Sequence, residues 1–194
     1  MKLERNYGRV FDRKGSNRDF FSAQLNSDTV TVLDAAAPDP SVCFLAVRTP
    51  DGVSAVIVHT SWRPLYGEFE WSAFCESVGF ENKFNCPERI LDLLDPVEQL
   101  YDTRLGRDRA DRWRRNCRAR HAQLKAAPKV KPGQIVRFAK AVTFSNENVR
   151  DTFQYDGNGR FSSSYSRYRI RNWKLRSFEV VDVDDDEIRR KLLA

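Results

Sequence analysis

The sequence predicts an α+β protein: an antiparallel sheet with helices packed on it, followed by a small SH3-like or barrel-like β-unit. Three observations carry this. Two apolar, β-branched runs, 41–48 and 53–60, flank a Pro-Asp-Gly turn. Residues 107–127 have a helical composition with no Pro or Gly inside. After Lys131-Pro132-Gly133 the hydrophobic period returns to two and holds, in short runs, to about residue 183.

Taken in order, residues 1 to about 20 are polar and basic, with Gly8 and Gly15, and read as a loose arm or an edge strand. Thr29 to Leu33 is a short β-branched strand. The following Ala-Ala-Ala-Pro-Asp-Pro, 35–40, reads as a connection, because prolines do not fit a central strand. Between the runs 41–48 and 53–60, Thr49-Pro50-Asp51-Gly52 is a hairpin signal: Pro sets φ and Gly supplies a positive φ. Phe69 to Phe74 alternates and forms a further strand.

Cys86-Pro87-Glu88 opens a helix, since Pro at the first helical position gives up an N–H that has no partner there. Asp95-Pro96-Val97-Glu98 opens a second, with Asp95 as N-cap and Glu98 at N3. In the long helix Ala110, Trp113, Cys117, His121 and Leu124 fall on one narrow stripe, and much of the rest is arginine. Pro128 and Pro132-Gly133 end it. Runs 134–139, 141–144 and 165–183 then read as short strands, with turns at 146–148 and 156–159. Acids at 184–187 ahead of bases at 189–191 suit a short terminal helix. The domain boundary falls at 127/128.

The 194 residues are 41% hydrophobic and 12% aromatic, enough to build a core. No apolar run approaches the ~20 residues that span a bilayer, and the N-terminus lacks an apolar signal core. Four scattered cysteines fit free, buried thiols in a reducing compartment. The expectation is a cytoplasmic protein with no membrane partner; oligomeric state is left open.

The charge is unevenly placed. Residues 101–132 hold eleven Lys or Arg and three Asp, +8 against +6 for the whole chain, which leaves −2 for the remainder. Such density points to an anionic partner, nucleic acid or an acidic protein surface. The structural alternative is a solvated helix whose arginine stems cover apolar surface. A second stretch interleaves Arg167, Arg169 and Arg171 with Tyr168 and Ile170. Strand alternation puts the arginines on one face and the apolar residues on the other. Arginines and aromatics so interleaved can stack single-stranded bases, but the simpler reading, preferred here, divides them into a wet face and a core face.

Motifs for phosphate-cradling loops, nucleophile elbows and zinc helices do not occur, so no catalytic, cofactor or metal residue is assigned. Cys117 and His121 have a ligand-like i, i+4 spacing but no further ligands in motif, so a packed Cys and a half-buried His is the plainer reading. His59 ends an apolar strand, and the acids around 182–187 read as cap and solvated charge.

Several short motifs in the middle and C-terminal parts go together. They are Asn85-Cys86-Pro87 with Ile90-Leu91, Trp113-Arg114 with Cys117-Arg118, Lys131-Pro132-Gly133 with Val136-Arg137-Phe138, and Tyr168-Arg169-Ile170 with Phe178-Glu179. Together they resemble an uncharacterised bacterial domain family over roughly residues 55–181. The resemblance implies a bacterial or mobile-element source and names no activity. The first 40 residues fall outside it.

The leading expectation is a non-enzymatic binding protein, without cofactor, whose basic helix (about 104–125) engages an anionic macromolecule through Arg107, Arg112, Arg114, Arg115 and Arg118. Arg167, Arg169 and Arg171 are further candidates. Two other readings stand beside it: a mobile-element accessory protein that inhibits a host defence complex by protein contact, and an unrecognised hydrolase or transferase.

Overall fold

A computed structural model describes residues 7–10, 17–39, 41–63, 68–78, 83–145, 147–163 and 166–181. The acidic run and terminal helix expected after residue 181 lie outside them. The chain forms two compact units, Met1–His121 and Ala122–Ala194, divided inside the long helix rather than after it.

The first unit is built on five antiparallel strands: β1 (Tyr7–Val10), β2 (Thr31–Asp39), β3 (Val42–Thr49), β4 (Gly52–Arg63) and β5 (Glu68–Cys75). Their order is β1-β5-β4-β3-β2. β3 is buried at six consecutive positions, 42–47, rather than at alternate ones. The reason is that both faces of the sheet are covered. One face packs Leu45, Val47, Val56, Val58 and Trp71 against Phe21 and Leu25 of helix α1 (Asn17–Leu25). The other packs Phe44, Ala46, Ala55 and Ile57 against Ile90 and Leu91 of the one-turn helix α2 (Glu88–Leu91) and against Trp113 and Cys117 of α4 (Arg104–Ala126). Each fully buried Phe contributes about 1.5–3 kcal/mol of transfer free energy.

Two expectations are corrected. Residues 35–39, read as a connection because of Pro38, continue β2. A proline without an N–H is tolerated there because β2 is the outer strand, and the pairing with β3 breaks register between Ala36 and Asp39. Part of the segment read as an arm is helical: α1 places Phe21 and Leu25 one turn apart on its buried side. The remainder includes the edge strand β1, paired with β5.

The hairpin forms as expected, with Thr49 opposite Gly52 and φ of +125° at Gly52. α3 (Val97–Leu100) follows the Asp95-Pro96 signal, but Asp95 does not cap it. Its carboxylate accepts the Val53 N–H at 2.7 Å, and its own N–H donates to Val53 O at 2.9 Å. α4 is capped by Thr103, whose hydroxyl accepts the Gly106 N–H at 3.2 Å.

The second unit is a meander, β6 (Ile135–Thr143), β7 (Val149–Gly157), β8 (Arg160–Ser163) and β9 (Ser166–Arg169). A one-turn 3-10 helix, Trp173–Leu175, follows, and β10 (Phe178–Val181) then returns to pair with β6. This is the connectivity of the SH3-like expectation. The runs 134–139 and 141–144 join into one strand with a register break between Arg137 and Val142. Asn158 and Gly159 both take positive φ, the two-residue hairpin geometry, between β7 and β8. Phe138, Phe153 and Phe161 meet edge-on at about 6 Å, with Tyr168 and Trp173 completing the core.

Candidate functional site

α4 has two unlike faces. Gly106, Ala110, Trp113, Arg114 and Cys117 are buried. Trp113 lies against Phe44, ring centroids 6.1 Å apart, and donates its indole N–H to Lys83 O at 3.0 Å. Arg109, Arg112, Arg115 and Arg118 are exposed on the remaining arc, and Arg107 is half-buried. Arg115 pairs with Asp111 at 3.0 Å and Arg104 with Asp108 at 3.8 Å, exposed i, i+4 pairs that contribute little and rearrange readily. Arg107 donates to Tyr101 O at 3.3 Å. Arg118 reaches Leu91 O at 3.5 Å. Both of these bonds are to carbonyls, and among the described residues neither arginine forms an ion pair.

Arg114 departs from the set. The sequence places it among the docking arginines, but it is 5% exposed and points into the first unit. Its Nε donates to Glu76 Oε2 at 2.7 Å, one terminal nitrogen donates to Glu76 Oε1, and the other to Asp95 O. Burial by itself would lower the Arg114 pKa; the Glu76 hydrogen bonds and charge outweigh it and hold the guanidinium above its ordinary value. Arg114 therefore offers no charge to a partner.

The pair closes a sheet end. β5 pairs with β4 only as far as Val56 opposite Cys75. Beyond that point the β4 N–H groups meet carboxylates: Ala55 N–H donates to Glu76 Oε1 at 3.3 Å and Val53 N–H to Asp95. The Tyr101 hydroxyl donates to Glu76 Oε1 at 3.0 Å and lies 3.0 Å from Cys75 Sγ. Burial first, and the Glu76 charge next, push the Tyr101 phenol well above its usual range. Glu76 is fully buried, and both its oxygens are occupied by groups of this chain. The cluster is chemically closed: it satisfies backbone and charge and presents no reactive atom. Sequence reasoning missed Glu76, Tyr101 and Asp95 as a group because their partners are 19 to 42 positions away in sequence.

The cysteine and histidine candidates are structural too. His121 Nε2 lies 2.7 Å from Cys86 O. Burial pushes the Cys117 thiol up to about 12 and the Cys86 thiol higher still, so neither is a thiolate at neutral pH. Among the described residues no cluster of three or more His, Cys, Asp or Glu could hold a metal. No helix among them is long and apolar enough to cross a membrane.

In the second unit Arg167, Arg169 and Arg171 are exposed, while Tyr168 and Ile170 are buried, as the alternation predicts. The Tyr168 ring faces the core, so among the described residues the outward set on these strands offers charge and no exposed ring. A shallow groove of about 420 Å³ lies along β6 and β10, where Arg137 and Glu179 pair at 2.7 Å. Asp151 adds a second carboxylate to its lining.

No curated protein and no solved structure matches the chain. Residues 105–173, from the first turn of α4 to the 3-10 turn at Trp173, match the family model of a domain of unknown function, DUF6927.

Proposed function

We propose that this is a non-enzymatic binding protein whose α4 engages an anionic macromolecule, a nucleic-acid backbone or an acidic protein face. The observation that carries the reading is the division of α4. Its inner stripe is fixed to the sheet by Trp113, Cys117 and the Arg114–Glu76 pair, and its outer arc presents Arg109, Arg112, Arg115 and Arg118. A helix anchored on one side holds its outer charges in a fixed row, which suits a linear polyanion. Binding would release counterions and weaken with salt.

The test uses the whole chain and labelled single- and double-stranded DNA and RNA, at low and at physiological salt. The variant is R109Q/R112Q/R115Q, which leaves Arg114 in place. The reading expects binding to at least one probe, lost in the variant while its far-UV spectrum and melting temperature stay those of the parent. Binding to no nucleic acid, followed by failure to bind polyglutamate as an acidic-protein mimic at low salt, overturns it.

A further inference from the structure

We infer that the outer face of β8 and β9 in the second unit is a binding surface for the phosphate backbone of a nucleic acid, centred on Arg160, Arg167 and Arg169. The inference uses none of the arginines of α4 and stands or falls without them.

Three observations converge. First, Arg160 and Arg169 sit directly opposite each other on neighbouring antiparallel strands. Cβ atoms in that relation are about 4.5–5.5 Å apart, and like charges there destabilise the sheet. Arg167, opposite Ser162, is the next outward residue on the same strand, about 7 Å along it. Second, a single described carboxylate, Asp156, lies beside three arginines and pairs with none of them. Residues 160–176 contain six Lys or Arg (Arg160, Arg167, Arg169, Arg171, Lys174 and Arg176) and no Asp or Glu. All six are exposed. Among the described residues Arg160, Arg167 and Arg169 form no ion pair. Asp156, at the irregular end of β7, instead accepts a hydrogen bond from the Ser162 hydroxyl at 2.9 Å. Third, the face is rigidly backed. Phe161 and Tyr168, the alternate residues of the same two strands, are buried in the aromatic core.

An array of guanidinium groups that outnumbers its neighbouring carboxylates and forms no ion pair with them is unfavourable in the free protein and favourable once further anions lie between them. A phosphodiester strand supplies such anions in a row. Guanidinium forks bind phosphate oxygens in bidentate fashion. Because Phe161, Tyr168 and Trp173 face inward, the described part of the face recognises the backbone, so sequence preference should be weak. Arg171, Lys174 and Arg176 extend the same charge, with Lys174 lying 5.5 Å from the Trp173 ring centre.

The experiment compares the full chain with R160Q/R167Q/R169Q, using labelled mixed-sequence oligonucleotides as single strand, duplex and RNA across a salt series. The expected result is a log–log salt slope shallower by about one for each arginine removed. Affinity at low salt should fall at least about tenfold. Without nucleic acid, the variant should melt at or above the parent temperature at low salt, since a repulsive pair has been removed. The single substitution Arg169→Thr is the second arm, because Thr suits a strand and removes one binding arginine together with the cross-strand repulsion. It should bind more weakly and melt higher. Unchanged affinity and slope in both variants, with both still folded, would overturn the inference, as would a parent that binds none of the probes at low salt. Loss of binding in the α4 variant with retention in these two would support the α4 reading and contradict this one, so the two surfaces fail separately.

Discussion

At the scale of single residues, the most consequential is Arg114. In sequence it is one of nine cations in α4, and nothing local sets it apart. Its position beside Trp113 places it at the margin of the buried stripe, and its partner Glu76 is 38 positions away. Periodicity marks a face; it does not say which polar residue at the margin turns inward to meet a buried carboxylate. Removing either partner alone leaves an uncompensated buried charge, which costs about 3–5 kcal/mol. Arg114→Met and Glu76→Gln should each lower the urea midpoint steeply, and the double variant should lose less than the two singles together. Additive losses would show that the two side chains are not coupled. The buried thiols give a second prediction. In the unfolded chain Cys86 and Cys117 titrate near 8.5, whereas Cys117 is pushed up to about 12 by burial in the fold and Cys86 is raised further. Groups whose native pKa is raised stabilise the fold fully below the unfolded value, and that stability is lost as pH rises through the native one. Unfolding free energy should therefore fall progressively above about pH 8.5, and the C86A/C117A variant should show a flatter profile. Neither thiol should react with an alkylating reagent at neutral pH until the protein is denatured.

At the scale of elements, the strands and α4 were legible because their signals are strong: paired β-branched runs around a proline–glycine turn, and a long stretch free of helix breakers. Two elements were not. Pro38 argued against a strand, yet β2 has a neighbour on one side only, and topology cannot be read from a five-residue window. α1 is short and set among polar residues, so Phe21 and Leu25 gave no readable period. Asp95 shows a different competition. Its sequence context is that of an N-cap, but the unpaired N–H of Val53 at the end of the β4 ladder takes the carboxylate instead. Gly52 is where these elements crowd together. Its φ is +125°, and a Cβ built there would come 2.8 Å from Asp95 Oδ2 and from Leu100 Cδ2. Gly52→Ala should destabilise by about 1–3 kcal/mol, from strain together with displacement of Asp95. A thermal midpoint equal to the parent's would mean that the hairpin and α3 shift freely to make room. The candidate arginines of β9 were readable by alternation alone, because a strand with one buried face declares its outward set. Arg160 was not, since its place opposite Arg169 follows from the pairing of β8 with β9, with Phe161 opposite Tyr168 and Ser162 opposite Arg167, which the alternation within one strand does not show.

At the scale of the molecule, the two units carry charge in different ways. Residues 1–121 hold eighteen Lys or Arg and eighteen Asp or Glu, so the first unit is neutral in sum and its arginines on α4 are balanced by acids elsewhere in the same unit. Residues 122–194 hold fifteen and nine, and so carry the whole of the chain's +6. The local density at 101–132 made α4 the obvious surface from sequence; the division into units shows that the net positive charge belongs to the second. α4 is the proposed polyanion-binding surface. The most direct test is fluorescence anisotropy of a labelled duplex, with binding constants taken over a salt series, for the parent chain and for R109Q/R112Q/R115Q. The claim predicts a steep negative slope for the parent and one shallower by about three for the variant, with tighter binding by the parent at every salt concentration. Parallel lines of equal affinity, from two proteins with the same melting temperature, would contradict it.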